Sequence, residues 1–160
     1  MSGMPHGKDV SLIPPHGQRP AWPPTRMTLV VVAAVIEQQG RFLLTRRQAG
    51  VHLAGFWEFP GGKVQDEEAH EAALRREMRE ELDSDVMVGD RIFEVVHDYP
   101  ERSVALHFYR CTLLGVPRPL LGQEMAWVRR EELRDLPFPD ADREFVALLA
   151  HEAHGCSDSR

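Results

Sequence analysis

Residues 61–86 read GGKVQDEEAHEAALRREMREELDSDV, and this stretch decides how the chain is organised. A glycine pair is followed, after a short polar segment, by a run with helical periodicity from His70 to Leu82. Leu74, Met78 and Leu82 recur every four residues and form an apolar stripe that packs on a core. Glu77, Glu80 and Glu81 stand at i, i+3 and i+4 and share an adjacent face. Like charges at that spacing repel one another in water. Either Arg75, Arg76 and Arg79 pair with them as a solvated acidic face, or the helix holds a hard cation. Magnesium takes oxygen ligands, keeps several waters and often shares its shell with substrate phosphates.

Working outward, Thr28 to Ile36 is an apolar run that reads as a buried strand, Gln38 to Gly40 as a turn and Arg41 to Arg47 as a second strand. Gln48 to Gly55 is a loop, and Phe56 to Phe59 a short strand leading into a Gly61-Gly62 turn. Val86 to His97 and Val104 to Leu113 read as paired strands, since Val104, Leu106 and Phe108 alternate with Ala105, His107 and Tyr109. Gly115 to Pro119 turns, Met125 to Val128 is a strand and Glu131 to Leu136 a short helix. Asp140 to Ala150 is an amphipathic helix. Strands on both sides of a central helix, closed by a second helix, predict an α/β fold, an α/β/α sandwich on a mixed sheet.

The length, 160 residues, predicts one domain with a proper core. Six of the 12 prolines fall in Met1 to Arg26, which reads as a disordered tail; 27–150 is the folded domain, and 151–160 a second tail. The formal charge is −6, and nine of the 25 acids lie between Asp66 and Asp85, so the acidity is local. No basic stretch suggests direct contact with nucleic acid. Cys111 and Cys156 are the only cysteines, which fits neither a disulfide framework nor a zinc ribbon and suits a reducing, cytoplasmic setting. No apolar run is long enough to span a membrane. The sequence leaves monomer and homodimer open.

Gly62, Glu68 and the run Arg76-Glu77-Met78-x-Glu80-Glu81, with five and seven residues between them, resemble the Nudix box of the Nudix hydrolases. The box normally closes with Gly and an aliphatic residue; here Asp83 and Ser84 stand there. Asp tolerates the left-handed cap conformation better than most residues. Relatives often carry Ser or Thr where Ala69 stands, and losing such a cap costs about 1 kcal/mol. The likeness extends to Arg46-Arg47, His52, Glu58-Phe59-Pro60-Gly61-Gly62-Lys63 and Phe138-Pro139-Asp140-Ala141-Asp142, which look like the MutT branch. It covers about Met27 to Ala150.

That resemblance implies the Nudix fold and Mg²⁺-dependent hydrolysis (Mn²⁺ is an alternative) of a nucleoside triphosphate to the monophosphate and pyrophosphate. The implied substrate is 8-oxo-dGTP, in nucleotide-pool sanitation that protects DNA replication and repair. CTP or dCTP pyrophosphohydrolase and sugar-nucleotide diphosphatase are the alternative activities, and a Nudix-like nucleotide sensor the non-enzymatic one. The implied metal ligands are Glu77, Glu80, Glu81 and the backbone carbonyl of Gly61, with Glu77 or Glu80 as general base. Glu68 is an outer-shell ligand or a partner of Arg76, with the structural role favoured.

Carried over position by position, Arg47 contacts a phosphate, His52 lies near the nucleotide, and Glu58, Phe59, Pro60 and Gly61 line its cleft. Phe59 either belongs to the core or stacks on a base. Asp142 matches a base-reading position. An ionised carboxylate only accepts hydrogen bonds, and guanine offers adjacent N1–H and 2-amino donors, so an ionised Asp142 favours oxidised guanine over cytosine. The bland alternative for Asp142 is an acid interacting with the helix dipole. Relatives carry a further acid where Leu121 stands, and Glu124, three residues later, is the open substitute.

Overall fold

The computed structural model describes residues 27–152, so the proposed tails 1–26 and 153–160 lie outside the described residues. In chain order the strands are β1 (Thr28–Val35), β2 (Glu37–Gln38), β3 (Arg41–Arg46), β4 (Trp57–Glu58), β5 (Gly61–Lys63), β6 (Val86–Asp98), β7 (Ser103–Leu113) and β8 (Glu124–Arg129). Helix α1 (His70–Leu82) lies between β5 and β6. A 3-10 helix (Arg130–Asp135) and helix α2 (Asp140–His151) close the chain. Helix α2 therefore runs one residue into the stretch expected as a tail.

The expected mixed sheet is present, in the order β5-β1-β7-β6. Strands β1 and β7 are parallel, and the other two pairings are antiparallel. A second sheet, antiparallel throughout, accompanies it: β3 pairs with β2 and β4 along one edge and with β8 along the other. The chain enters it at Ile36, whose carbonyl accepts the Leu43 N–H at 3.0 Å.

Strand β1 is apolar on both faces because both faces are covered. Val32, Ala34 and Ile36 pack with Ala73, Leu74, Met78 and Leu82 of α1. Ala33 and Val35 pack the other way, with Phe108, Phe138, Phe145 and Leu149 on the α2 side. This is the expected α/β/α layering. Leu74, Met78 and Leu82 are fully buried, and each contributes about 1.5–3 kcal/mol by leaving water. The ends of α1 match the reading of the sequence. Ala69 at the N-cap makes no side-chain cap bond, and Asp83 takes the left-handed conformation at the C-terminus, φ 52° and ψ 40°.

The Gly61-Gly62 segment is not a turn. It is the edge strand β5, with Gly61 opposite Ala33 and Gly62 opposite Val32. The glycines were read as a turn because turns are their commonest use. Close approach of backbone and side chains is the reason for them here.

Candidate active site

A cleft of about 1000 Å³ opens beside β5, on the α2 side of the mixed sheet. Its floor is apolar: Leu29 and Val31 of β1 and Val104 and Leu106 of β7 all face it. Glu77 and Glu81 line it, as do Arg47, Glu58 and Asp142.

Helix α1 packs on the other face of that sheet, yet its acids reach the cleft. The two glycines explain how. A Cβ on Gly62 would run into the Glu77 carboxyl, and one on Gly61 would run into the Val32 carbonyl. Without side chains, β5 lies tight against β1 and leaves room for the acidic face of α1 to pass over the sheet edge.

Arg76 organises those acids. Its Nε and Nη2 donate to the two oxygens of Glu68 at 2.8 and 2.9 Å, and Nη2 also donates to the Lys63 carbonyl at 3.0 Å. Its Nη1 donates to Glu77 at 2.9 Å. The Arg76 bonds, with the Gln65 N–H, hold the Glu68 carboxyl well down, at about 2. Glu68 is thus a partner of Arg76.

Glu81 behaves differently. Burial pushes its carboxyl well above the usual carboxylate range, and a hydrogen bond with Glu77, the Glu77 charge and the Glu58 charge push the same way; the Gly61 backbone opposes them. Glu77 and Glu81 therefore lie close enough to act on each other at the edge of the cleft. Glu80 stands apart: its side chain is 59% exposed, leans on Arg76 at 3.4 Å and does not line the cleft. Among the described residues, no three His, Cys, Asp or Glu side chains are gathered closely enough to hold a metal ion. The two that meet are all-oxygen donors beside a glycine backbone, a setting that suits a hard dication.

Elsewhere around the cleft, Arg47 donates to Glu58 at 2.9 Å and to the His52 carbonyl at 2.6 Å. It ties the loop 48–56 to β4 and keeps its charge at the cleft. Burial raises the Glu58 carboxyl, and Arg47 opposes that rise. His52 lines the cleft, with its ring edge-on to Tyr99 at 6.2 Å. Phe59 is 3% exposed and sits among Phe108, Phe138 and Phe145, so its ring belongs to the core while the residue still lines the cleft; Pro60, expected there too, is not among the lining residues. Pro60 is buried, and its carbonyl accepts the Ala34 N–H at 2.7 Å.

Asp142 lines the cleft from the first turn of α2, with only 6% of its surface exposed. Burial, then the Glu58 charge, push its carboxyl up to about 8, against the opposing Arg47 charge. Burial thus favours the neutral acid, which offers an O–H donor beside its remaining acceptor, over the acceptor-only carboxylate.

Glu124 begins β8, pairs with Arg46 at 3.1 Å and lines a neighbouring shallow depression. It is not among the residues of the main cleft, and Leu121 is exposed to solvent. The sequence reading missed the aliphatic floor and left Tyr99 aside. The floor residues alternate as strand residues do, a pattern that core packing produces equally well.

The chain matches the NUDIX domain family over residues 31–148. It is 37% identical over 125 residues to the CTP pyrophosphohydrolase of Escherichia coli K12, covering 75% of this chain and 93% of that protein. It is 33% identical over 126 residues to an 8-oxo-dGTP diphosphatase of Haemophilus influenzae, covering 78% and 93%. Among solved structures, the Escherichia coli ORF135 protein superposes with a TM-score of 0.72 at 31% identity, covering 84% of this chain and 96% of that one. The MutT protein of Methanosarcina mazei Go1 gives 0.71 at 26% identity, covering 81% and 97%.

With its acidic helix brought over a glycine edge into the cleft, this chain belongs to the Nudix hydrolases. Such enzymes act on nucleoside triphosphates and generally use a divalent metal. No helix among the described residues is long and apolar enough to cross a membrane.

Proposed function

We propose that this protein is a Mg²⁺-dependent nucleoside triphosphate pyrophosphohydrolase acting on 8-oxo-dGTP, in the sanitation of a cytoplasmic nucleotide pool. The observation that carries the reading is that Glu77 and Glu81 of the acidic helix line one cleft together with Arg47 and a buried Asp142.

Glu77, Glu81 and the Gly61 carbonyl would hold the metal, with Glu80 outside the cleft joining only by swinging in; the metal when bound neutralises pyrophosphate charge and polarises phosphorus. Arg47 supplies a planar fork for phosphate oxygens. Glu77 is favoured over Glu80 as general base, because it faces the cleft while Glu80 lies at the rim. Arg76 keeps Glu77 in place. Glu77 takes a proton from water, and the water oxygen bonds to the β-phosphorus. The bond from that phosphorus to the α–β bridging oxygen breaks, and the monophosphate leaves with the bridging oxygen.

The neutral Asp142 supports a second substrate. One donor and one acceptor fit guanine through O6 and N1–H, and they fit cytosine through N3 and the 4-amino group. CTP therefore stands beside 8-oxo-dGTP, in line with the names of the two relatives. The protein is proposed to act as a monomer or homodimer without nucleic acid.

The test is pyrophosphate release from a panel of ordinary and oxidised nucleotides, with Mg²⁺ and with chelator. Release from 8-oxo-dGTP or CTP that stops in chelator is expected. Turnover that continues in chelator, or no turnover on any triphosphate, overturns the proposal.

A further inference from the structure

Tyr99 stands just after β6, where its N–H donates to the Arg102 carbonyl at 2.9 Å and closes the connection to β7. Its ring is edge-on to two histidines, His52 at 6.2 Å and His97 at 4.5 Å. Its hydroxyl oxygen accepts the backbone N–H of Ala141 at 3.1 Å. Ala141 is the second residue of α2, in the first turn, where backbone N–H groups have no helical acceptor. Ala141 is 4% exposed, which leaves little room for water to serve instead. Pro139, the N-cap residue, makes no side-chain cap bond. The residue after Ala141 is Asp142.

We propose that Tyr99 is a positioning residue for base selection: by holding the Ala141 N–H it fixes the first turn of α2, and through that turn the orientation of Asp142 toward the nucleobase. The inference rests on the reading of Asp142 as the base-contacting group. From β6, His97 Nε2 lies 4.0 Å from the Asp140 carboxylate in the same turn. The end of β6 and the first turn of α2, far apart in the chain, thus meet, and the phenol oxygen is the atom that takes the Ala141 N–H. A phenylalanine would keep the ring contacts and lose that atom.

The experiment compares kcat/KM for 8-oxo-dGTP and CTP in the wild type, Tyr99→Phe, Asp142→Ala and the double variant, with melting checked for each. Tyr99→Phe is expected to change the ratio of the two substrates by about five-fold or more, as for one lost hydrogen bond, with the change carried by KM. In the Asp142→Ala background the same substitution should leave the ratio unchanged. An unchanged ratio in Tyr99→Phe, or an equal shift in both backgrounds, overturns the inference. Hydrogen exchange of the Ala141 amide in the wild type needs no variant: strong protection is expected, and exchange at the rate of an open amide overturns it. A wild type inactive on every triphosphate removes the proposed function as well, whereas an active one with an unmoved ranking removes only the role of Tyr99.

Discussion

Arg76 binds Glu68 through two hydrogen bonds, 2.8 and 2.9 Å, and from the same guanidinium reaches Glu77 at 2.9 Å. One planar fork thus anchors the loop before α1 and aims the acid that faces the cleft. An ammonium cannot make both contacts in that geometry. Arg76→Lys is expected to lower kcat about ten-fold or more through misplacement of Glu77, with a smaller effect on KM. Steady-state kinetics on 8-oxo-dGTP check this; a normal kcat would reduce Arg76 to a surface charge.

Glu77→Gln tests the acid itself. The amide has nearly the same shape, so the fold should hold, as circular dichroism would show. Loss of a general base is worth about 10²–10⁴ in rate, and a fall of that order in kcat is expected. Near-normal turnover would remove Glu77 from the catalytic set.

Gly62→Ala places a methyl where the Glu77 carboxyl lies. Overpacking of this kind costs about 1–3 kcal/mol, and the displaced acid should cost about 10²-fold in kcat. Urea denaturation and kinetics measure the two effects separately. A variant with unaltered turnover would show that the passage over the sheet edge is not needed.

Phe59→Ala should act on stability. Its ring is packed by three other phenylalanines, and removing such a side chain costs about 3–5 kcal/mol. Denaturant unfolding should show the loss. Full stability combined with a raised KM would instead identify the ring as a base-stacking surface.

Asp142 gives a pH signature. Its carboxyl ionises at 3.8 when unperturbed and at about 8 when folded, because burial disfavours the charge. Between those values the folded protein keeps a proton that the unfolded chain has released. The stability tied to that neutral acid is complete below 3.8 and is lost as pH rises through about 8. Asp142→Asn, which never ionises, should therefore gain stability relative to wild type from about pH 4 to about pH 8, with a constant difference above. Chemical denaturation of both proteins across that range measures it. Parallel curves would mean that Asp142 is ionised throughout.

The sequence by itself determined the two faces of α1, its ends at His70 and Leu82, the left-handed cap at Asp83 and the α/β/α layering. The faces and ends of α1 follow from periodicity, which short stretches of chain carry on their own; the layering follows from the order of elements, and the cap at Asp83 from its place in the resemblance to the Nudix box. It also marked the acids, Arg47 and Asp142 as chemistry worth placing. Tertiary structure alone decided that Gly61 and Gly62 form a sheet edge over which Glu77 passes, that Glu80 leans outward on Arg76, and that Glu124 belongs to Arg46. It alone buried Asp142, which favours its neutral form, and set Tyr99 on the N–H of Ala141. Each of these depends on neighbours distant in sequence, since burial, charge pairing and close approach are properties of the assembled packing and leave no period in the chain.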